Sequence, residues 1–409
     1  MFLLRSQTGE TREISLDLSA RLGKGATASV YQATVNGKIY AAKIIHPDRI
    51  LDSSKIRAMI NNPPDQCFII KNGIEYPQLA WPIEIIINDN GKEVGFLLPF
   101  VDKSESYSLD HYYDLGLIDK LESHSESALS FKLEIARNLA KTVALLNQQG
   151  HYFIDLKPQN IQVFKQHHVV TLIDCDGFSI KQGNNRYPAE MLSTDYIAPE
   201  AQRELTSPRE LGEEQDQYAL AVILFQLLNR GTHPFQGVLQ DSKILLNTND
   251  EKAAAGLYPH GVISHESIVP RIQSVHHSWD TKTRTMFDRA FLSSKITKRP
   301  SANEWEQHFS NLLNTKSLVQ CKKFPGDLEH MQFRGMHCAT CYLNDLIEKP
   351  LLNDRAKQRK KRLDDARRIT SGAKQIPPSI PASNDEGSWI WWILGGAACI
   401  FLLVVFNKN

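Results

Sequence analysis

Cysteine is scarce in this chain. Six thiols, at 67, 175, 321, 338, 341 and 399, are scattered over 409 residues, too few for a disulfide framework, which predicts a reducing compartment. An excess of either charge is also lacking. The 47 Lys and Arg nearly cancel the 46 Asp and Glu, leaving +1, so no nucleic-acid partner is expected for the protein as a whole. The N-terminal Met-Phe-Leu-Leu-Arg-Ser-Gln-Thr has no long apolar region after a basic start, and no signal peptide is expected. Glutamate is absent between Ile44 and Ile74, a gap that bears on the chemistry below. What remains is an ordinary apolar fraction, 42%, enough to bury a core in one large domain with appendages.

The chain is organised around Phe153 to Asn160, Phe-Ile-Asp-Leu-Lys-Pro-Gln-Asn, followed by an apolar run that ends at Asp174. Phosphoryl transfer needs these residue types. Asp155 can accept a proton from a hydroxyl nucleophile, Lys157 can neutralise the moving phosphate, and Asn160 with Asp174 can offer hard oxygens to magnesium. Upstream, Leu22 to Val30 is a glycine-rich stretch, and the Asn36-Gly37 pair between alternating apolar runs predicts a hairpin. Gly23 and Gly25 would let backbone N–H groups approach a phosphate with no Cβ in the way. Tyr40-Ala41-Ala42-Lys43 closes the next strand, and a second hairpin is predicted over 83–101 with its turn at Asn88 to Gly91.

These elements in this order resemble the protein kinases. The 153–160 stretch is similar to their catalytic loop, with Phe153 where the family has His and Ile154 where it usually has Arg. Tyr40 to Lys43 resembles Val-Ala-Ile-Lys, and the resemblance assigns Lys43 to the α- and β-phosphates. Gly23, Gly25 and Val30 fall in the glycine-rich loop, with Ala28 in place of its third glycine. Leu98 becomes the gatekeeper, and the Pro99 carbonyl and Val101 N–H face the adenine. Asp174-Cys175-Asp176-Gly177 stands where most kinases have Asp-Phe-Gly; Asp174 takes the metal role, with Asp176 as the other register. The lysine's usual glutamate partner has no counterpart on the helix predicted from about Arg49 to Ile60. Ser54 occupies that region, leaving Asp48, Asp52 or Glu75 as substitutes.

Further on, Ser193 to Glu200 looks like the end of an activation loop, with Ser193 placed to touch Lys157. Arg299 is the expected partner of Glu200. Ile135, Leu139, Val143 and Leu146 form one helical stripe stopped by Gly150. Asp216, which by resemblance braces the catalytic loop, opens an apolar helix that runs to Leu228, and Gly231 to Phe235 is similar to Gly-x-x-Pro-Phe. The implied fold is α+β and two-lobed: a β-rich lobe and hinge over 1–101 and a helical lobe over 102–315. The implied activity is ATP- and magnesium- (or manganese-) dependent transfer to Ser or Thr of a protein. A cognate phosphatase is a further expectation from the resemblance. The alternative is a catalytically weak or inactive pseudokinase that acts as a membrane-held scaffold binding nucleotide or partners.

Three appendages follow. Cys321, His330, Cys338 and Cys341, over 316–347, have the softness and number for a closed tetrahedral zinc site, with His337 as an alternative ligand. Residues 348–388 form a basic, proline-containing linker. Trp389 to Phe406 is an uncharged stretch long enough for about 27 Å of helix, and it predicts a single-pass C-terminal anchor. The cations beside it predict that the kinase-like part stays in the cytoplasm, and the resemblance of the Cys/His tail to that of a group of bacterial kinases implies a bacterial inner membrane.

Overall fold

The computed structural model describes residues 2–6, 8–113, 127–243, 245–292, 298–315, 317–346 and 360. The linker, apart from residue 360, and the anchor expected at 389–406 lie outside the described residues. Among the described residues no helix is long and apolar enough to cross a membrane.

The N-terminal lobe is a seven-stranded antiparallel sheet. Its strands are β1 (Phe2–Arg5), β2 (Thr11–Glu13), β3 (Ser15–Lys24), β4 (Ala28–Val35) and β5 (Lys38–Ile45), with β8 (Glu84–Asn88) and β9 (Glu93–Pro99). β6 (Phe68–Lys71) and β7 (Ile74–Pro77) form a separate hairpin. Asn36 and Gly37 both take positive φ, 49° and 78°, as a two-residue hairpin turn with the sheet's twist requires. The apolar N-terminus is a strand that pairs with β8, from Phe2 opposite Asn88 to Arg5 opposite Ile85.

Register decides which side chains share a face. Gly23 pairs with Val30, Val30 with Lys43, and Lys43 with Phe96, so one row crosses four strands toward the cleft. Ala41 and Leu98, also paired, lie in the main core with Phe96. Ala42 and Leu97 face the opposite way, into a smaller core with Leu4 and Ile86. Gly95 is required here. A Cβ on it would lie 2.1 Å from the Lys43 carbonyl oxygen, so only glycine lets β9 approach β5 this closely.

α1 (Ser53–Asn61) packs beside this sheet. It starts later than the sequence pattern predicts because Asp52 is its N-cap and accepts from Lys55 N at 3.0 Å. The C-terminal lobe is helical: α2 (Ala128–Gln148), α3 (Pro199–Glu204), α4 (Glu213–Leu228), α5 (Asn249–Ala254), α6 (Thr281–Phe291) and α7 (Ala302–Asn314). The stripe Ile135, Leu139, Val143 and Leu146 is fully buried, as are most residues of α4. At Gly150, φ is 76° and the chain turns out of α2. A small sheet follows, of β10 (Ser106–Ser108), β11 (Ile161–Phe164) and β12 (Val170–Leu172). The β13 (Ile180–Gln182) and β14 (Asn185–Tyr187) hairpin comes next, and then β15 (Gly237–Leu239) with β16 (Ile268–Pro270). β17 (Leu318–Gln320) pairs with β18 (Met331–Phe333) and frames the Cys/His segment.

Candidate active site

The β11–β12 hairpin builds the site. Because Ile161 pairs with Leu172, the residues just outside the hairpin, Asn160 and Ile173, also meet, and Ile173 N donates to Asn160 O at 2.9 Å. Asp174 follows immediately, so the two expected metal-ligating side chains flank one strand end. Asn160 donates its Nδ2 to the Asp155 carbonyl at 3.2 Å, which leaves its amide oxygen available for a cation. Asp174 is in the left-handed region, φ 64°, and its side chain is 52% exposed. These are hard oxygens, and they fit magnesium or manganese.

Asp216 fixes the loop that carries Asp155. It is fully buried and accepts from Phe153 N at 2.8 Å, Ile154 N at 2.7 Å and Asn147 Nδ2 at 2.9 Å. Burial pushes its carboxyl up, the three donors pull it back, and it stands at about 6. Asp155 is held on both oxygens. Oδ1 accepts from Ser193 N at 2.7 Å and Oδ2 from Lys157 Nζ at 2.6 Å. Lys157 also donates to Ser193 Oγ at 2.9 Å, the contact expected from the sequence. Phe153, in place of a histidine, packs its ring 4.1 Å from that of Phe178, so an apolar pair occupies that position.

Lys43, on β5, is nearly buried and meets the same strand end. Its Nζ reaches Asp174 Oδ1 at 2.6 Å and both oxygens of Asp176 at 2.7 and 2.8 Å. Burial alone would lower this lysine, but the charges of Asp176 and Asp174 outweigh it and hold Lys43 above the usual lysine range. None of the three substitutes suggested by the sequence for the missing glutamate is bonded to it. Asp48 pairs with Arg49 at 3.5 Å, Asp52 caps α1, and Glu75 on β7 approaches Lys38 at 3.8 Å. α1 presents a buried lysine instead. Lys55 donates to the Pro188 carbonyl at 3.0 Å, and burial pulls it below the ordinary range.

Gly25 N donates to Ala28 O at 2.9 Å, closing the tip of the β3–β4 hairpin. Leu98 is buried at the end of β9, with Pro99 and Val101 beyond it. Lys103 reaches back to the Leu22 carbonyl at 2.9 Å, tying the hinge end to the glycine-rich strand. Glu200 and Arg299 form a two-pronged ion pair, with Nη2 to Oε2 at 2.8 Å and Nη1 on Oε1. Three features are not announced by the sequence pattern: Asp176 as the partner of Lys43, the buried Lys55, and the close approach at Gly95. Glycine inside the strand run Glu93–Pro99 was the available signal for the last.

In the Cys/His segment the ligating atoms of Cys321, His330, Cys338 and Cys341 lie within 4.8 Å of one another. Cys321 and Cys341 sulfurs are 3.6 Å apart, and His330 Nδ1 is 3.3 Å from Cys341 Sγ and 3.6 Å from Cys338 Sγ. A disulfide would need about 2.05 Å, whereas a tetrahedron of about 2.3 Å Zn–S bonds has edges near 3.8 Å. The donor set fits zinc. The other ring nitrogen of His330 is 3.9 Å from Asp327, a carboxylate suited to orient a ligating imidazole. His337 is not among the four.

The chain aligns over 312 residues with the protein kinase YegI of Escherichia coli strain K12 at 28% identity, covering 70% of this chain and 43% of that protein. It aligns over 337 residues with the serine/threonine-protein kinase RAD53 of Saccharomyces cerevisiae at 23% identity, covering 78% of this chain and 37% of the other. It thus spans less than half the length of these relatives. The family described as protein kinase domain matches residues 16–309, and with a β-rich lobe over a helical one and a cleft holding Lys43, Asp155, Asn160 and Asp174, the chain belongs to the protein kinase family.

Proposed function

We propose that this protein is a Mg-ATP-dependent serine/threonine protein kinase held at the cytoplasmic face of a bacterial inner membrane by residues 389–406. The observation that carries the reading is the Asp155–Lys157–Ser193 cluster, with a carboxylate 2.6 Å from an ammonium, joined through Asn160, which donates to the Asp155 carbonyl, to the strand end where Asp174 meets Lys43. In this reading Asp155 accepts the proton of the attacking hydroxyl while Lys157 stabilises charge on the transferring phosphoryl group. Lys43 holds the α- and β-phosphates, Gly23, Gly25 and Val30 cover them, and the Pro99 carbonyl and Val101 N–H receive the adenine. Magnesium, held by Asn160 and Asp174, would neutralise phosphate charge. The Cys321, His330, Cys338 and Cys341 group holds a structural zinc. The acceptor is a protein hydroxyl, and the same reading implies a phosphatase that reverses the transfer.

The test is labelling with Mg-ATP by the full-length protein, on itself and on a generic protein acceptor, followed by phosphoamino acid analysis. Phosphoserine or phosphothreonine is expected, and Asp155→Asn should lower the rate at least about 100-fold. Equal labelling by the variant would sink the assignment. The absence of a carboxylate on α1 favours a scaffold as the second reading. ATP binding without turnover, unaltered by Asp155→Asn, is the result that would select it.

A further inference from the structure

A lysine that holds phosphates needs an anion to orient it, because its four-carbon stem has many rotamers and its charge is costly to bury alone. α1 cannot supply that anion. Its sequence is Ser-Ser-Lys-Ile-Arg-Ala-Met-Ile-Asn, with no acid, and its buried positions are Lys55, Ile56, Ala58 and Met59. The anions on Lys43 come instead from the turn after β12.

The two carboxylates of that turn are not equivalent. Asp174 gives Lys43 one oxygen and keeps half of its side chain open, 52% exposed. Asp176 gives both oxygens and is 23% exposed. The backbone explains why both can reach one ammonium. Asp174 is left-handed and the next residues, Cys175–Gly177, form a single 3-10 turn, with Gly177 N donating to Asp174 O at 3.0 Å. Buried Cys175 pins the turn, its Sγ 3.4 Å from the Leu172 carbonyl. Side chains two apart on this turn therefore converge on Lys43. The cation of Lys55 acts electrostatically on Asp176 from the α1 side while its Nζ is bonded to Pro188. The helix thus brings a positive charge where a negative one is missing, and the loop brings the negative one.

We propose that Asp176 is the positioning residue of Lys43, supplying from the 174–177 turn the carboxylate that α1 lacks, while Asp174 keeps a free oxygen for the metal. The orientation of Lys43 then follows the turn that carries the metal ligand, and not the placement of α1. The inference rests on the nucleotide-cleft reading above.

The experiment measures equilibrium binding of ATP to the full-length protein in mild detergent, once with magnesium and once with EDTA, so turnover is not needed. Asp176→Asn should raise the dissociation constant about tenfold under both conditions, as Lys43→Met should. Asp174→Asn should lose mainly the part of the affinity that magnesium adds. Because Asp176 acts through Lys43, the double variant Lys43→Met/Asp176→Asn should bind within about twofold of Lys43→Met alone. Asp176→Glu, which keeps the charge, should recover most of the affinity. Thermal midpoints without nucleotide check folding, and Asp176→Ser carries the same comparison if Asp176→Asn does not fold. The proposal is overturned if Asp176→Asn binds like the wild type, if its loss vanishes in EDTA, or if the two losses multiply in the double variant. No ATP binding by the wild type would instead overturn the cleft reading and, with it, the role of Lys43.

Discussion

Removing Arg299 tests how the two ends of the helical lobe are joined. Arg299→Met keeps the apolar stem and deletes the guanidinium, which makes two bonds to Glu200, one to the Ala290 carbonyl at 3.1 Å, and lies 5.2 Å over the Tyr218 ring. Breaking a fully buried pair at one end costs about 3–5 kcal/mol. Arg299 is 10% exposed but Glu200 is 39%, so water screens the stranded carboxylate and about 2 kcal/mol is the better figure. The lost bond to Ala290 adds about 1 kcal/mol, and the ring contact about 0.5 kcal/mol. Urea unfolding of protein truncated after Gly387, followed by the fluorescence of buried Trp279 and Trp305, should therefore show a loss of about 3.5 kcal/mol. Glu200→Gln should cost less, because Arg299 keeps its other two contacts. The pH dependence has a definite sign. Burial would raise Glu200, but the Arg299 bonds and charge overcome it and hold the carboxyl below its usual range. A depressed carboxyl stabilises the fold above its unfolded value, about 4.3, and that share is lost as pH falls through the folded value. The gap between wild type and Arg299→Met should thus narrow as pH falls from 7 to below 4. A cost under about 1 kcal/mol, or a gap that widens in acid, would refute the account.

Gly95→Ala should destabilise the N-terminal lobe by at least about 2 kcal/mol and weaken ATP binding, since β9 must retreat from the Lys43 carbonyl; an unchanged thermal midpoint would contradict the close approach. Metal analysis should find about one zinc per chain, and chelation should speed hydrogen exchange across 317–346. Unchanged stability of metal-free protein would leave these cysteines incidental. Full-length protein should stay with membranes in high salt, because burial contributes about 0.8 kcal/mol per CH₂. Truncation after Gly387 should leave at most salt-sensitive association through the basic linker, about 1 kcal/mol per Lys or Arg near the surface. Release of the full-length protein by salt alone would rule out a spanning helix.

The parts of the site legible in the sequence are those whose chemistry is local. Asp155, Lys157 and Asn160 sit in one short loop, and Asp174 follows a hairpin whose apolar run announces it, so spacing alone places them together. Glu200 and Arg299 were legible because each lies in a recognisable segment. The N-terminal strand was not legible. Phe2–Arg5 has only four residues, and although Gly9, at φ 88°, marks the turn into β2, its other partner β8 lies far along the chain. Lys55 was hidden by a general habit of the residue, since lysines on short helices mostly face water, and nothing local says that the Pro188 carbonyl will be there to receive it. Asp176 was visible as an acid, but its partner is not visible. Only the left-handed turn at Asp174 shows that two acids separated by a cysteine can meet one lysine.

Ile154 shows why a departure at the level of residues need not be one of geometry. It stands where the resemblance leads one to expect arginine, and it is β-branched, buried and left-handed, φ 63°, a conformation that costs such a residue about 1–3 kcal/mol. Asp216 holds it there through the N–H groups of Phe153 and Ile154, and Asn147 steadies Asp216 in turn. Bonds of this kind, from backbone N–H to a charged group, contribute about 1.5–3 kcal/mol each, enough to offset the strain. The loop conformation is therefore set by Asp216 and not by a charged side chain at 154. What the isoleucine gives up is the cation, so the shape that presents Asp155 persists without a charge at 154 that could bind a phosphorylated 174–200 segment.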